Sequence, residues 1–158
     1  MTGGVETTLD RESVAATGIV AAPPHEVFEY LRRPANHAEV SGDGTVKGST
    51  GGDEVLTAGS TFGMSMRVGV PYRMRSTVVE FEPDRLLAWA HLGGHRWRWE
   101  LEPVEGGTRV TETFDMSTSK APPLLRMMGY PKRHRDNVER SVANVIQRFA
   151  GGGTSSGS

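Results

Sequence analysis

The spacing of apolar and polar positions changes twice along this chain. Ser13 to Ala21 (SVAATGIVA) is β-prone and ends at Pro23-Pro24. In the following PHEVFEYLRRP, Val27, Phe28 and Leu31 share one helical face, with Glu26, Glu29 and Arg33 opposite. Proline suits the first turn of a helix, where its missing N–H would have gone unpaired, and Pro34 stops the helix. One more turn is expected over Asn36 to Val40. SGDGTVKGSTGGDE reads as a loop with a brief strand at Val46.

From there the period becomes two. STFGMSMRVG sets Phe62, Met64, Met66 and Val68 on one face, with Ser65 and Arg67 on the other. YRMRSTVVEFE alternates up to the turn at Pro83-Asp84, and LLAWAHL runs to a second turn at Gly93-Gly94. HRWRWELE and TRVTETFDMS flank a third turn over Pro103–Gly107. Consecutive strands joined by short turns make an antiparallel meander. After Pro131 the helical period returns, with Val138, Val142, Val145 and Phe149 on one stripe and Arg135, Glu139, Arg140 and Arg148 off it. The helix is expected to end at the glycines from Gly151. A long amphipathic helix and a sheet with one apolar face must cover each other, which gives an α+β fold.

The hairpin from His95 to Met116 fixes its own register. Placing Glu102 opposite Arg109 sets Arg98 opposite Thr113 and Arg96 opposite Asp115, so opposite charges meet on one face and no like charges do. A slip of one residue would exchange the faces. The other face then carries His95, Trp97, Trp99 and Leu101 opposite Met116, Phe114, Glu112 and Val110. Glu112 is the exception in an apolar row, and a buried carboxylate is costly unless compensated. Three readings stay open for it: a wet rim or water-filled cavity, neutralisation by an internal cation, or a ligand contact or general acid/base.

Composition narrows the classes. Eighteen basic and nineteen acidic residues give a net charge of −1, which argues against a nucleic-acid binder. The absence of cysteine excludes disulfides, a thiolate nucleophile and cysteine-ligated metal. No HExxH pattern and no close histidine–carboxylate pair occurs in the sequence, so neither metal nor cofactor is expected. No apolar run reaches the roughly 18 residues of a membrane span, and the N-terminus lacks the blocks of a signal peptide. The expectation is a cytoplasmic protein without stable membrane insertion, monomeric or homodimeric. Residues 1–11 read as a flexible tail, residues 12–150 as a single domain and residues 151–158 as a disordered Gly/Ser tail.

With APPHEVFEYLRRP near the start, VVEFEPDRLLAW at Val78–Trp89 and WRWELEP…GGTRVTE at Trp97–Glu112, the chain resembles the START/SRPBCC superfamily. The branch it resembles most is the bacterial polyketide cyclase/dehydrase type. The resemblance covers roughly Ser13 to Phe149 and implies the helix-grip fold, a curved seven-stranded antiparallel sheet wrapped around the C-terminal helix. One or two short helices follow the first strand. It also implies an elongated cavity for an apolar ligand, and no universal catalytic set.

Methionine adapts to irregular space, and tryptophan offers a broad apolar face with one N–H. Ligand contacts are therefore expected at Met64, Met66, Tyr72, Met74, Trp89, Trp97, Trp99, Phe114, Met127, Met128, Val138 and Val142. The catalytic candidates are Glu112, His91 and His95, the histidines flanking Gly93-Gly94 at one end of the sheet. His37 is placed at the cavity mouth, His25 and His134 on solvated helix faces, and the Ser41–Thr45 loop as a gate. KRHR at Lys132–Arg135 reads as a solvated basic face or an anion contact at the entrance. The leading function is binding of a small hydrophobic or amphipathic molecule of lipid, polyketide or aromatic type. The alternatives are a polyketide cyclase, aromatase or dehydratase using Glu112 and a histidine, and a protein-interaction module.

Overall fold

The computed structural model describes residues 5–9, 13–41, 46–52, 54–68, 70–90, 96–115 and 130–150 of the 158-residue chain. Eight strands form one antiparallel sheet: β1 (Val5–Leu9), β2 (Ser13–Val20), β3 (Val46–Gly52), β4 (Thr61–Val68), β5 (Val70–Glu82), β6 (Leu86–Ala90), β7 (Arg96–Val104) and β8 (Gly107–Asp115). Their spatial order is β1-β2-β8-β7-β6-β5-β4-β3. The chain crosses from β2 to the far edge through α1 (Pro24–Leu31), a 3₁₀ turn (Pro34–Asn36) and α2 (His37–Val40), then meanders back. The last element is α3 (Tyr130–Ala150). This is the helix-grip arrangement, with one strand more than the expected seven. The addition is β1, taken from the stretch read as a flexible tail. VETTL gains strand order because β2 offers it an edge, pairing Val5 with Gly18 through Leu9 with Val14.

Local chemistry accounts for the connections. Pro23 is extended ahead of α1, and Pro24 occupies its first turn. The β7–β8 turn is shorter than the sequence suggests. Pro103 and Val104 remain in β7, opposite Thr108 and Gly107, because Gly106 and Gly107 both take positive φ, +87° and +156°. In β5 a bulge follows Val78, so Val78 pairs with Trp89 while Phe81, three residues on, pairs with Leu87. Val78 is buried and Phe81 packs on the core, whereas Val79 between them is exposed.

Helix α3 packs chiefly on β2, and also touches β1, β8 and α2. Alanine at position 16 and glycine at 18 leave β2 a low surface, which lets the Val138, Val142 and Val145 stripe bury completely. The helix is held along its length by polar contacts as well. Thr7 donates to Glu139, and Asn144 Nδ2 donates to the Val40 carbonyl at 3.1 Å. Near the C-terminus Tyr30 donates to Glu39, Arg148 lies 3.5 Å from the same carboxylate, and Phe149 meets the Tyr30 ring edge-on at 5.6 Å. Burial, then the bond to Glu39, raises the Tyr30 pKa, so the phenol stays a donor.

Candidate functional site in the concave face

Register carries two rows of side chains across the inner face. One row reads Val14, Phe114, Trp97, Trp89 and Val78, each paired with the next. The second reads Ala16, Glu112, Trp99, Leu87 and Phe81. The hairpin register deduced from charge matching holds at every described pair, from Arg96–Asp115 to Glu102–Arg109. The two faces then sort as their chemistry requires. Trp99 is 1% exposed and Phe114 is fully buried, while Trp97 packs on the core with its ring centroid 4.5 Å from that of Phe114.

The convex face holds the arginines. Arg96 and Arg98 both reach Glu80, at 2.6 and 3.1 Å, and Arg109 meets Glu102 at 2.5 Å. Glu80 and Arg98 flank Ala88 in register, and this small side chain lets the ion pair close across it. These pairs are partly solvated and contribute little stability individually.

Among the described residues seven polar side chains are buried: Glu112, Ser60, Ser76, Thr108, His37, Asn137 and Ser141. Glu112 is 5% exposed and lies between Ala16 and Trp99, so the carboxylate belongs to the inside of the grip rather than to its rim. Asn137 and Ser141 are one helical turn apart on α3, with Ser141 Oγ donating to Asn137 Oδ1 at 3.5 Å. His37 stacks on Trp89 with centroids 4.7 Å apart and planes 17° apart, and meets Phe62 edge-on at 5.6 Å. Phe62 and Trp89 also touch edge to face at 5.7 Å.

Of the expected ligand contacts, Met64, Trp89, Trp97, Trp99 and Phe114 share this concave face, and Val138 and Val142 belong to the buried helix stripe. Met66 pairs with Tyr72, and Met74 with Met64, which places them by backbone in the adjoining strands. His91, His95, Met127 and Met128 lie outside the described residues, as do Gly93-Gly94 and positions 42–45 of the expected gate. Sequence reasoning passed over Ser76, Asn137 and Ser141. The i, i+4 placement of the last two beside Val138 and Val142 was the available signal.

Two histidines read differently in three dimensions. His37 is interior rather than at a mouth. Its burial drives the pKa down to about 4, against an opposing hydrogen bond to the Leu31 carbonyl. The folded protein therefore keeps His37 neutral, while the unfolded chain protonates it near 6.5. Between pH 7 and pH 5 the unfolded state gains a proton that the folded state refuses, so stability falls with acidification. The expected loss is about 2 kcal/mol over that interval, levelling below pH 4. Urea unfolding at both pH values should show this loss in the wild type and not in His37→Phe; equal losses would contradict it.

His25 does have a carboxylate close by, contrary to the sequence expectation. The β5–β6 turn brings Asp84 to 3.0 Å from its Nδ1, and this hydrogen bond raises its pKa. With Glu29 their donor atoms lie within 4.8 Å of one another, on the exterior. Among the described residues no helix is long and apolar enough to cross a membrane.

Residues 11–150 match the family model described as polyketide cyclase/dehydrase and lipid transport. The chain belongs to this family. Within the cyclase/dehydrase and lipid transport family, a curated relative is the uncharacterized protein Rv0088 of Mycobacterium tuberculosis, 38% identical over 139 residues. That match takes in 84% of this chain but 62% of the relative, so the chain spans about three-fifths of its length. A crystal structure of a Rhodobacter sphaeroides protein superposes with a TM-score of 0.69 at 18% identity, covering 93% of this chain and 98% of that one. Protein Ms6760 of Mycobacterium smegmatis gives 0.63 at 17% identity, covering 93% and 96%. At such identities these likenesses speak for the family's fold alone.

Proposed function

We propose that the protein encloses a small apolar or amphipathic molecule, of lipid, polyketide or aromatic type, between the concave sheet face and α3. The observation that carries this reading is the run of Trp97 and Trp89 beside Trp99, with a buried carboxylate set among them at Glu112. Binding sites combine apolar walls with a few convergent polar groups, and Glu112 is a polar group of this kind beside the tryptophans. The family description, which names lipid transport, supports the same reading. Tryptophan fluorescence titrated with fatty acids, sterols and aromatic polyketides should give a saturable change for at least one class. No response to any of them would overturn the proposal.

The burial of Glu112 opposite Trp99 also favours a second reading, in which the enclosed molecule is cyclised or dehydrated with Glu112 as acid/base. A side-chain carboxyl group beside an enclosed guest can give and take a proton as a general acid/base. Under this reading Glu112→Gln lowers turnover of a polyketide substrate by about 10²-fold while binding persists. Unchanged turnover in that variant removes Glu112 from the chemistry.

A further inference from the structure

The His37 ring offers one free function, and its chemistry is fixed by its neighbours. Nε2 lies 2.8 Å from the Leu31 carbonyl oxygen, at the end of α1. A carbonyl only accepts, so Nε2 must carry the ring hydrogen. A neutral imidazole has one such hydrogen, and Nδ1 is left with its lone pair as an acceptor. The two nitrogens bond in divergent directions, so Nδ1 is aimed away from Leu31. Among the described residues no donor hydrogen-bonds to it. The ring itself is 7% exposed, lies parallel to Trp89 and is held at its edge by Phe62. Two aromatic contacts and one backbone bond thus hold this acceptor beside Trp89, in the row that Trp97 shares.

We propose that His37 Nδ1 is the specificity-determining polar contact of the ligand site, and that it selects a guest carrying a hydroxyl donor on an apolar ring or chain. The proposal rests on the binding reading above and narrows its ligand class. An alcohol or phenol donates to Nδ1 while its apolar body lies along the tryptophans. A ketone, ether or carboxylate at that place sets acceptor against acceptor, leaving two desolvated lone pairs without a hydrogen. Glu112, two strands away in the second row, imposes no such restriction on the Trp89 end.

Matched probes test this. Naphthol and its methyl ether, and a sterol and its methyl ether, are titrated against wild type and His37→Phe by tryptophan fluorescence. In the wild type the hydroxyl form of at least one pair should bind roughly ten-fold more tightly, the scale of one buried hydrogen bond left unmade. The pair that responds separates an aromatic guest from a sterol-like one. In His37→Phe the preference should shrink to within about two-fold while the ether still binds. Equal affinities in the wild type overturn the His37 assignment and leave the pocket standing. No binding of any probe removes the pocket and the assignment together. Ring-nitrogen NMR of the wild type gives a check that needs no variant. The Nε2–H form is expected, with the Nδ1 resonance shifting upfield on saturation with the hydroxyl probe; an unmoved Nδ1 resonance overturns the proposal.

Discussion

Trp99→Ala is expected to destabilise the protein by about 3–5 kcal/mol, the range for truncating a fully buried large aromatic side chain. The indole is 1% exposed and sits between Leu87 and Glu112 on neighbouring strands, so the sheet cannot collapse into the space without breaking its ladder. Truncation also opens water access to Glu112, which relieves some desolvation and keeps the cost from the upper end. Urea unfolding followed by circular dichroism measures it. A loss below about 1 kcal/mol would mean that Trp99 borders open space rather than packed neighbours. Trp99→Phe should recover more than half of the loss, because the ring still separates Leu87 from the carboxylate.

Gly107→Ala is expected to cost roughly 4 kcal/mol, combining backbone strain of ~1–3 kcal/mol with overpacking of similar size. A Cβ there would stand 1.9 Å from the Val20 carbonyl oxygen and 3.0 Å from its carbon, both of them backbone atoms of β2. Relief demands separation of β2 from β8, and β2 carries most of the contact with α3. Gly106 provides the control. Its φ is +87°, yet a Cβ would meet nothing within 4 Å, so Gly106→Ala pays the strain of about 1–3 kcal/mol alone. Equal melting temperatures for the two variants would show that the turn relaxes away from β2.

The β7–β8 hairpin was legible because its two faces carry incompatible chemistry. Opposite charges on one side and tryptophans on the other agree in a single register, and no tertiary information is needed to find it. The last helix was legible for the same reason, through the spacing of Val138, Val142 and Val145. Strand β1 was not. VETTL is short, polar and surrounded by residues typical of a tail, and its order derives from an edge of β2 that the sequence does not advertise. The site shows the same division. The parity of a strand puts Trp99 and Glu112 inside, but nothing local to His37 says that α2 lays its ring on Trp89. Likewise the meeting of His25 with Asp84 depends on where a helix and a distant hairpin are carried by the sheet.

The strand order carries a consequence for assembly. β2 leaves the chain near its beginning, yet its hydrogen-bonded neighbour is β8, with Ser13 opposite Asp115 and Val20 opposite Thr108. Everything from β3 to β8 forms through local turns, whereas this seam closes a loop spanning most of the polypeptide and bears the entropy of doing so. During synthesis from the N-terminus, β2 must wait for β8, and the interior gains its roof only when α3 follows. The chamber that the protein is proposed to fill with a guest is therefore the last part of it to be sealed.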